Sequence, residues 1–145
     1  TMVDFNSEEK QSISFLSNNG EVPTTSSLNW GQREKRDPNQ AYIPLPSNIS
    51  KTGFFPLNKR YFTVVADDGE CFIMRVEQAN NKAITTPSDN AEIGRYFRSR
   101  LGLHEGEKIT RQHFEKYGRT DVTFTKLDDE HFLLDFSVDR PEMEE

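Results

Sequence analysis

The chain has 145 residues, 29% charged and 33% hydrophobic, with eleven Phe and a formal net charge of -6. That length sets one domain able to bury a core without disulfides or metals, and no apolar run reaches membrane-spanning length. The single cysteine, Cys71, excludes an internal disulfide framework and a cysteine zinc site and fits a reducing compartment.

The start, Thr1 to Phe5, carries neither a basic nor an apolar leader pattern, so a cytoplasmic piece of a longer chain is expected. Residues 1–27 are polar and rich in Ser, Thr and Asn. They read as a linker or N-terminal extension ahead of a domain over 28–138, with 139–145 as an acidic tail. Ala41–Leu45 reads as a strand hemmed by Pro44 and Pro46, which confines it to a sheet edge or a barrel rim. Tyr61–Ala66 and Glu70–Val76 are β-branched and aromatic runs joined by Asp67-Asp68-Gly69, a hairpin turn.

A short strand follows at Lys82–Thr85. Ser88 or Asp89 then offers an N-cap for a helix with Ile93, Phe97 and Leu101 on one stripe and Gly102 as its stop. Thr110 caps a second short helix through Tyr117, and Asp121–Leu127 with His131–Phe136 form a last hairpin. Strands first and last with one or two short helices between them predict a mainly β, α+β fold, a small open barrel and not a parallel βαβ sheet.

The negative charge is unevenly spread. Residues 1–27 and 139–145 carry -3 each, whereas 28–60 carry +4 and 82–126 carry +3. Two basic zones beside acidic termini are what a protein with one nucleic-acid face shows, although a mixed solvated surface has the same composition.

In the first zone Trp30, Gln32, Arg33, Lys35, Arg36, Asn39 and Gln40 crowd ahead of the edge strand. Arg and Lys pair with guanine O6 and N7, and Asn and Gln with adenine N6 and N7; a disordered polar arm is the alternative. In the second zone Lys82, Thr85, Thr86, Ser88, Asp89 and Asn90 precede a helix N-terminus whose N–H groups suit a phosphate, or merely cap the helix. Arg95, Arg98 and Arg100 read equally as a solvated helix face. Arg119, Thr120 and Asp121 offer donors and an acceptor at the entry to the last hairpin.

No catalytic constellation accompanies them. His104, His113 and His131 are nine and eighteen residues apart, too far for a two-imidazole metal motif on one helix, and no phosphate-cradling glycine loop or nucleophile elbow occurs. No cofactor or metal is expected. Glu8 and Lys10 form an isolated E-x-K triplet with only Asp4 before it. A protein-interaction or dimerisation module, and an enzyme using Asp67, Asp68 and Glu70 on a recruited metal, are the rival classes.

The order strand-IPLPSNISKTGFFP, hairpin, short strand, helix and LGLHEGEKI resembles the B3 DNA-binding fold of plant transcription factors. LNWGQR, NQAYIPLP, ADDGE, KAITTP, GRYFRSRLGL and YGRTDVTF look like the C-terminal recognition domain of the NgoFVII group of bacterial restriction enzymes, relatives of BfiI, over roughly 28–137. The resemblance implies a seven-stranded pseudobarrel that grips the major groove of double-stranded DNA with an N-arm, here Trp30 to Gln40, and a C-arm, here Lys82 to Asn90. It also implies a parent enzyme that cuts with a metal-independent, phospholipase-D-like domain placed N-terminal to this one. The H-x-K signature of that domain is missing here, so this part is expected to bind DNA without cutting it.

Overall fold

A computed structural model describes residues 9–77 and 81–138. The strands are β1 (Glu9–Ser14), β2 (Ile43–Pro44), β3 (Phe62–Ala66), β4 (Cys71–Glu77), β5 (Ala83–Thr85), β6 (Asp121–Asp128) and β7 (His131–Asp135). The helices are α1 (Ser47–Ser50), α2 (Glu92–Arg100) and α3 (Arg111–Tyr117), with a 3-10 turn at Ser27–Asn29. The strands join in the order β1-β6-β7-β3-β4-β5-β2 and curl into a nearly closed, mixed barrel of seven strands, mainly β.

Alternation drives the hairpins. Phe62, Val64 and Ala66 of β3 and Phe72, Met74 and Val76 of β4 point inward, while Val65, Cys71 and Ile73 face out. Asp67-Asp68-Gly69 turns the chain, with Gly69 at φ +93° where a side chain is disfavoured. The last hairpin forms around Asp129 and Glu130, where Asp128 accepts the Glu130 N–H at 2.8 Å. β3 pairs in parallel with β7, Val65 opposite Leu133, which fuses the two hairpins into one sheet.

Aromatic rings fill the barrel. Phe55 lies 5.0–5.6 Å from Phe62, Phe124 and Phe132, and Phe15, Phe97, Phe114 and Phe136 make a second cluster under the helices. The mixture of edge-to-face and stacked pairs adds to simple area burial.

The linker expected over residues 1–27 is corrected for its described part. Glu9–Ser14 is an edge strand paired antiparallel with β6, and Ile13, Phe15 and Val22 are core residues. An edge strand needs only one inward row, and two apolar side chains two residues apart supply it. The first eight residues and the acidic tail over 139–145 lie outside the described residues.

The helices differ from expectation in two ways. A single turn, α1, follows Pro46, whose fixed φ suits a helix entry. On α2, Arg98 is wholly buried and Arg100 is largely so, so the proposed solvated face keeps only Arg95, paired with Asp89 at 2.6 Å. Arg100 donates to both carboxylate oxygens of Asp67, at 3.1 and 2.9 Å. Burial disfavours the Asp67 charge, but Arg100 and the Phe136 amide outweigh it and hold the carboxyl below its usual range. Asp67 thereby ties the β3–β4 turn to α2, and among the described residues no group of three or more His, Cys, Asp or Glu is arranged to hold a metal. No helix among them is long and apolar enough to cross a membrane.

Candidate nucleic-acid interface

The segment after the 3-10 turn closes on itself: the Gly31 N–H donates to Gln40 O at 2.8 Å and the Gln40 N–H to Asp37 O at 3.0 Å. Gly31 is required there, because a Cβ would meet Asp37 O at 2.1 Å. Asp37 Oδ1 accepts the Asn39 N–H at 2.9 Å and tightens the return. The tip therefore projects Arg33, Lys35 and Arg36 as exposed cations. Lys35 has a φ of +67°, and the Arg36 guanidinium stacks over the Trp30 ring, which meets Tyr42 edge-on.

Two amides of this segment, Gln32 and Asn39, are hydrogen-bonded within the protein. Gln32 Nε2 donates to Pro38 O at 2.9 Å and to Gly106 O at 3.1 Å. Asn39, 7% exposed, accepts the Gly106 N–H at 2.6 Å. Asn29, wholly buried, makes a two-way pair with Ile109, its Nδ2 donating to Ile109 O at 2.8 Å and its Oδ1 accepting the Ile109 N–H at 2.9 Å. The loop is thus fastened along its length to the 103–110 connection and is not a disordered arm. Asn29 and Gly106 were not among the residues singled out from sequence, since nothing local marks their pairing.

The second zone lies against the first. The Ala41 N–H donates to Asn90 O at 3.1 Å, and Gly94 lets α2 approach so closely that a Cβ would stand 1.7 Å from Asn39 O. Thr86, 0% exposed, donates its hydroxyl to Asp89 O at 2.7 Å. Asp89 takes the Ala91 N–H at 3.0 Å and the Arg95 guanidinium. The Arg95 bond, then the Ala91 bond, keep its carboxyl below the ordinary range. The N-cap position itself is Ala91, so the expected cap at Ser88 or Asp89 is shifted. The Asp89 carboxylate occupies the ground an incoming phosphate would need. Thr85 is buried, Asn90 is half-buried, and Lys82 and Ser88 are exposed.

Lys82 belongs to a different feature. Between the end of β1 and edge strand β2 the barrel leaves a cleft of about 500 Å³. Tyr42 and Pro44 line one side and Ser14 and Leu16 another, with Ser26, Ser27 and Lys82 among the other lining residues. The Ser27 hydroxyl is buried there without a hydrogen-bond partner among the described residues. Lys51 joins Lys82 around an adjoining hollow; the surplus of lysine and arginine over residues 28–60 was its only sequence signal.

The third group, at the start of β6, is internally committed. Arg119 donates to Asp121 Oδ1 at 2.9 Å, to Ser137 O at 2.8 Å and to Thr123 Oγ1 at 2.8 Å, and the Thr120 carbonyl accepts the Phe15 N–H at 2.9 Å.

A model of the NgoFVII C-terminal B3-like DNA-binding domain matches residues 3–128. The chain belongs to this family. This B3-like domain accordingly binds DNA, the partner its family takes, and belongs with the recognition domains of restriction enzymes, which are not catalytic. The match includes the strand that sequence reading assigned to a linker. No curated protein matches the chain. Among solved structures, a hypothetical protein of Arabidopsis thaliana is similar over 92% of this chain and 92% of its own, at 13% identity and a TM-score of 0.42.

Within the B3-like domain the geometry sorts the sequence candidates. Arg33, Lys35 and Arg36 project from a braced loop, Lys82 stands at the cleft, and Trp30 and Gln40 hold intermediate positions. Gln32, Asn39, Thr86, Asp89, Arg119 and Asp121 have polar atoms engaged within the protein.

Proposed function

We propose that the B3-like domain is the target-recognition half of a type II restriction endonuclease, binding double-stranded DNA sequence-specifically through the major groove. An N-terminal phospholipase-D-like nuclease domain of the same bacterial, cytoplasmic enzyme makes the cut. The observation that carries this reading is the braced loop 30–40, which carries exposed cations and whose end is hydrogen-bonded at Ala41 to Asn90 of the second zone. A loop ordered before contact loses less entropy on binding and can hold side chains in register with base edges.

Arg33 and Arg36 are the guanine readers in this reading, with Lys35 and Lys82 on phosphates, and Gln40, Ser88 and Asn90 on neighbouring base edges. Arg33 already spends Nε and Nη2 on Thr25 O, at 3.2 and 3.0 Å, which fixes the direction of its three remaining N–H donors. Gln32, Asn39, Thr85, Thr86, Asp89, Arg119, Thr120 and Asp121 shape and brace the surface. The overall charge of -6 limits non-specific attachment to a polyanion.

Selection from a randomised double-stranded pool, at physiological salt and without divalent metal, tests the proposal. Recovery of one short word is expected, with Arg33→Ala losing about 1–3 kcal/mol against its own base pair and Lys82→Ala weakening all duplexes alike. Recovery of random sequence, with binding indifferent to salt, would instead favour a protein-interaction module.

A further inference from the structure

Arg98 is the largest fully buried side chain among the described residues. Among the described residues, no carboxylate lies within ion-pairing distance of it. Its partners are neutral oxygens: Nε donates to Glu107 O at 2.7 Å, Nη1 to Gly94 O at 3.2 Å, and Nη2 to Leu28 O at 3.2 Å and Asn29 Oδ1 at 3.5 Å. Burial works against its charge, and Asp37 and Glu107 favour it only across longer distances.

A guanidinium in a dry interior with no anion beside it costs more than an apolar side chain of equal volume. Its value lies in what its planar fork of donors can hold together. Leu28 and Asn29 are the root of the loop that carries Trp30, Arg33, Lys35 and Arg36. Gly94 belongs to α2 and abuts the other end of that loop at Asn39, and Glu107 belongs to the connection that fastens the loop along its length. One side chain thus ties the three elements that define where the loop stands.

We propose that Arg98 is the positioning residue of the recognition loop: it orients the loop from inside the core and so sets how sharply the domain discriminates among DNA sequences, without touching DNA. This rests on the reading that the loop contacts DNA.

The chain's only tryptophan, Trp30, lies in the loop under Arg36, so its fluorescence reports loop geometry in the absence of DNA. Wild type, Arg98→Met and Arg98→Lys are compared for thermal unfolding, acrylamide quenching of Trp30, and affinity for the selected word against a scrambled duplex. Both variants are expected to keep a cooperative unfolding transition and to expose Trp30 to quencher. Their preference for the selected word should fall about tenfold, as for loss of one base reader, while affinity for the scrambled duplex holds. Lysine keeps charge but not the fork, so a lysine variant that matches wild type overturns the proposal. So do unchanged quenching and preference, and so does loss of the cooperative transition in both variants, since Arg98 would then hold the whole fold and not the loop. A wild-type domain without any sequence preference sinks the DNA reading instead, and the quenching comparison still shows whether Arg98 fixes the loop.

Discussion

The guanidinium of Arg36 lies over the indole of Trp30, 4.5 Å from the ring centroid. A cation held on an aromatic face is restrained before it meets a ligand. The exposed Arg36 thus covers a half-buried Trp30, the chain's only tryptophan.

Adding cognate duplex is therefore expected to change Trp30 emission in the wild type, and Arg36→Ala should shift the emission of the unliganded domain and cost about 1–3 kcal/mol in binding the selected word. A titration followed by tryptophan fluorescence checks both. Emission indifferent to saturating DNA would place the tip outside the interface.

Gly94 brings α2 within contact of the Asn39 carbonyl. Gly94→Ala gains helix propensity, yet its Cβ must displace backbone, so destabilisation of about 1–3 kcal/mol or more is expected, with weakened DNA binding. Chemical denaturation and a binding isotherm on the same preparation measure the two effects. A stabilised variant with full affinity would show that the approach has room to relax.

β1 is integral to the barrel by its pairing with β6 and its buried Ile13, followed by the buried Phe15. Phe15→Ala should cost about 3–5 kcal/mol, since the ring is wholly enclosed by Phe97, Phe114 and Phe136. A chain beginning at Leu28 should lack a cooperative transition in differential scanning calorimetry. Folding of that shortened chain with normal stability would restore residues 9–27 to the role of a linker.

Asp67 holds Arg100 with both carboxylate oxygens, and its pKa in the folded domain lies below the ordinary value. A depressed carboxyl contributes stability that is fully present above the unfolded-state pKa, about 3.9, and is lost as pH falls through the folded-state value. Melting temperature followed downward from about pH 5 should decline less steeply in Asp67→Asn than in wild type. Arg100→Met, which strands the carboxylate, should cost about 2–4 kcal/mol at neutral pH. Parallel melting curves for Asp67→Asn and wild type across that range would remove Asp67 from the acid dependence.

Much of the fold was legible because local chemistry and tertiary demand agree. Asp67-Asp68-Gly69 turns between two alternating runs, Ile93 and Phe97 form the inward stripe of α2, and Thr110 joins His113 in a capping box. β1 escaped because an edge strand among serines lacks the density of apolar residues that marks a central strand. The amide-rich run from Gln32 to Asn39 has the right residue types for reading bases, but two of its amides serve the loop itself. Gln32 and Asn39 both meet Gly106, in a connection more than sixty residues downstream.

The sequence by itself determined the class of fold, both hairpins, the main helix and the two basic zones, since these follow from periodicity, turn residues and charge, which are local. Only the tertiary structure decided that β3 joins β7 in parallel, that the two zones meet through Ala41 and Asn90, and that Arg98 points inward. Those outcomes depend on which distant carbonyls lie within about 3 Å of a donor, and a hydrogen bond has no sequence period.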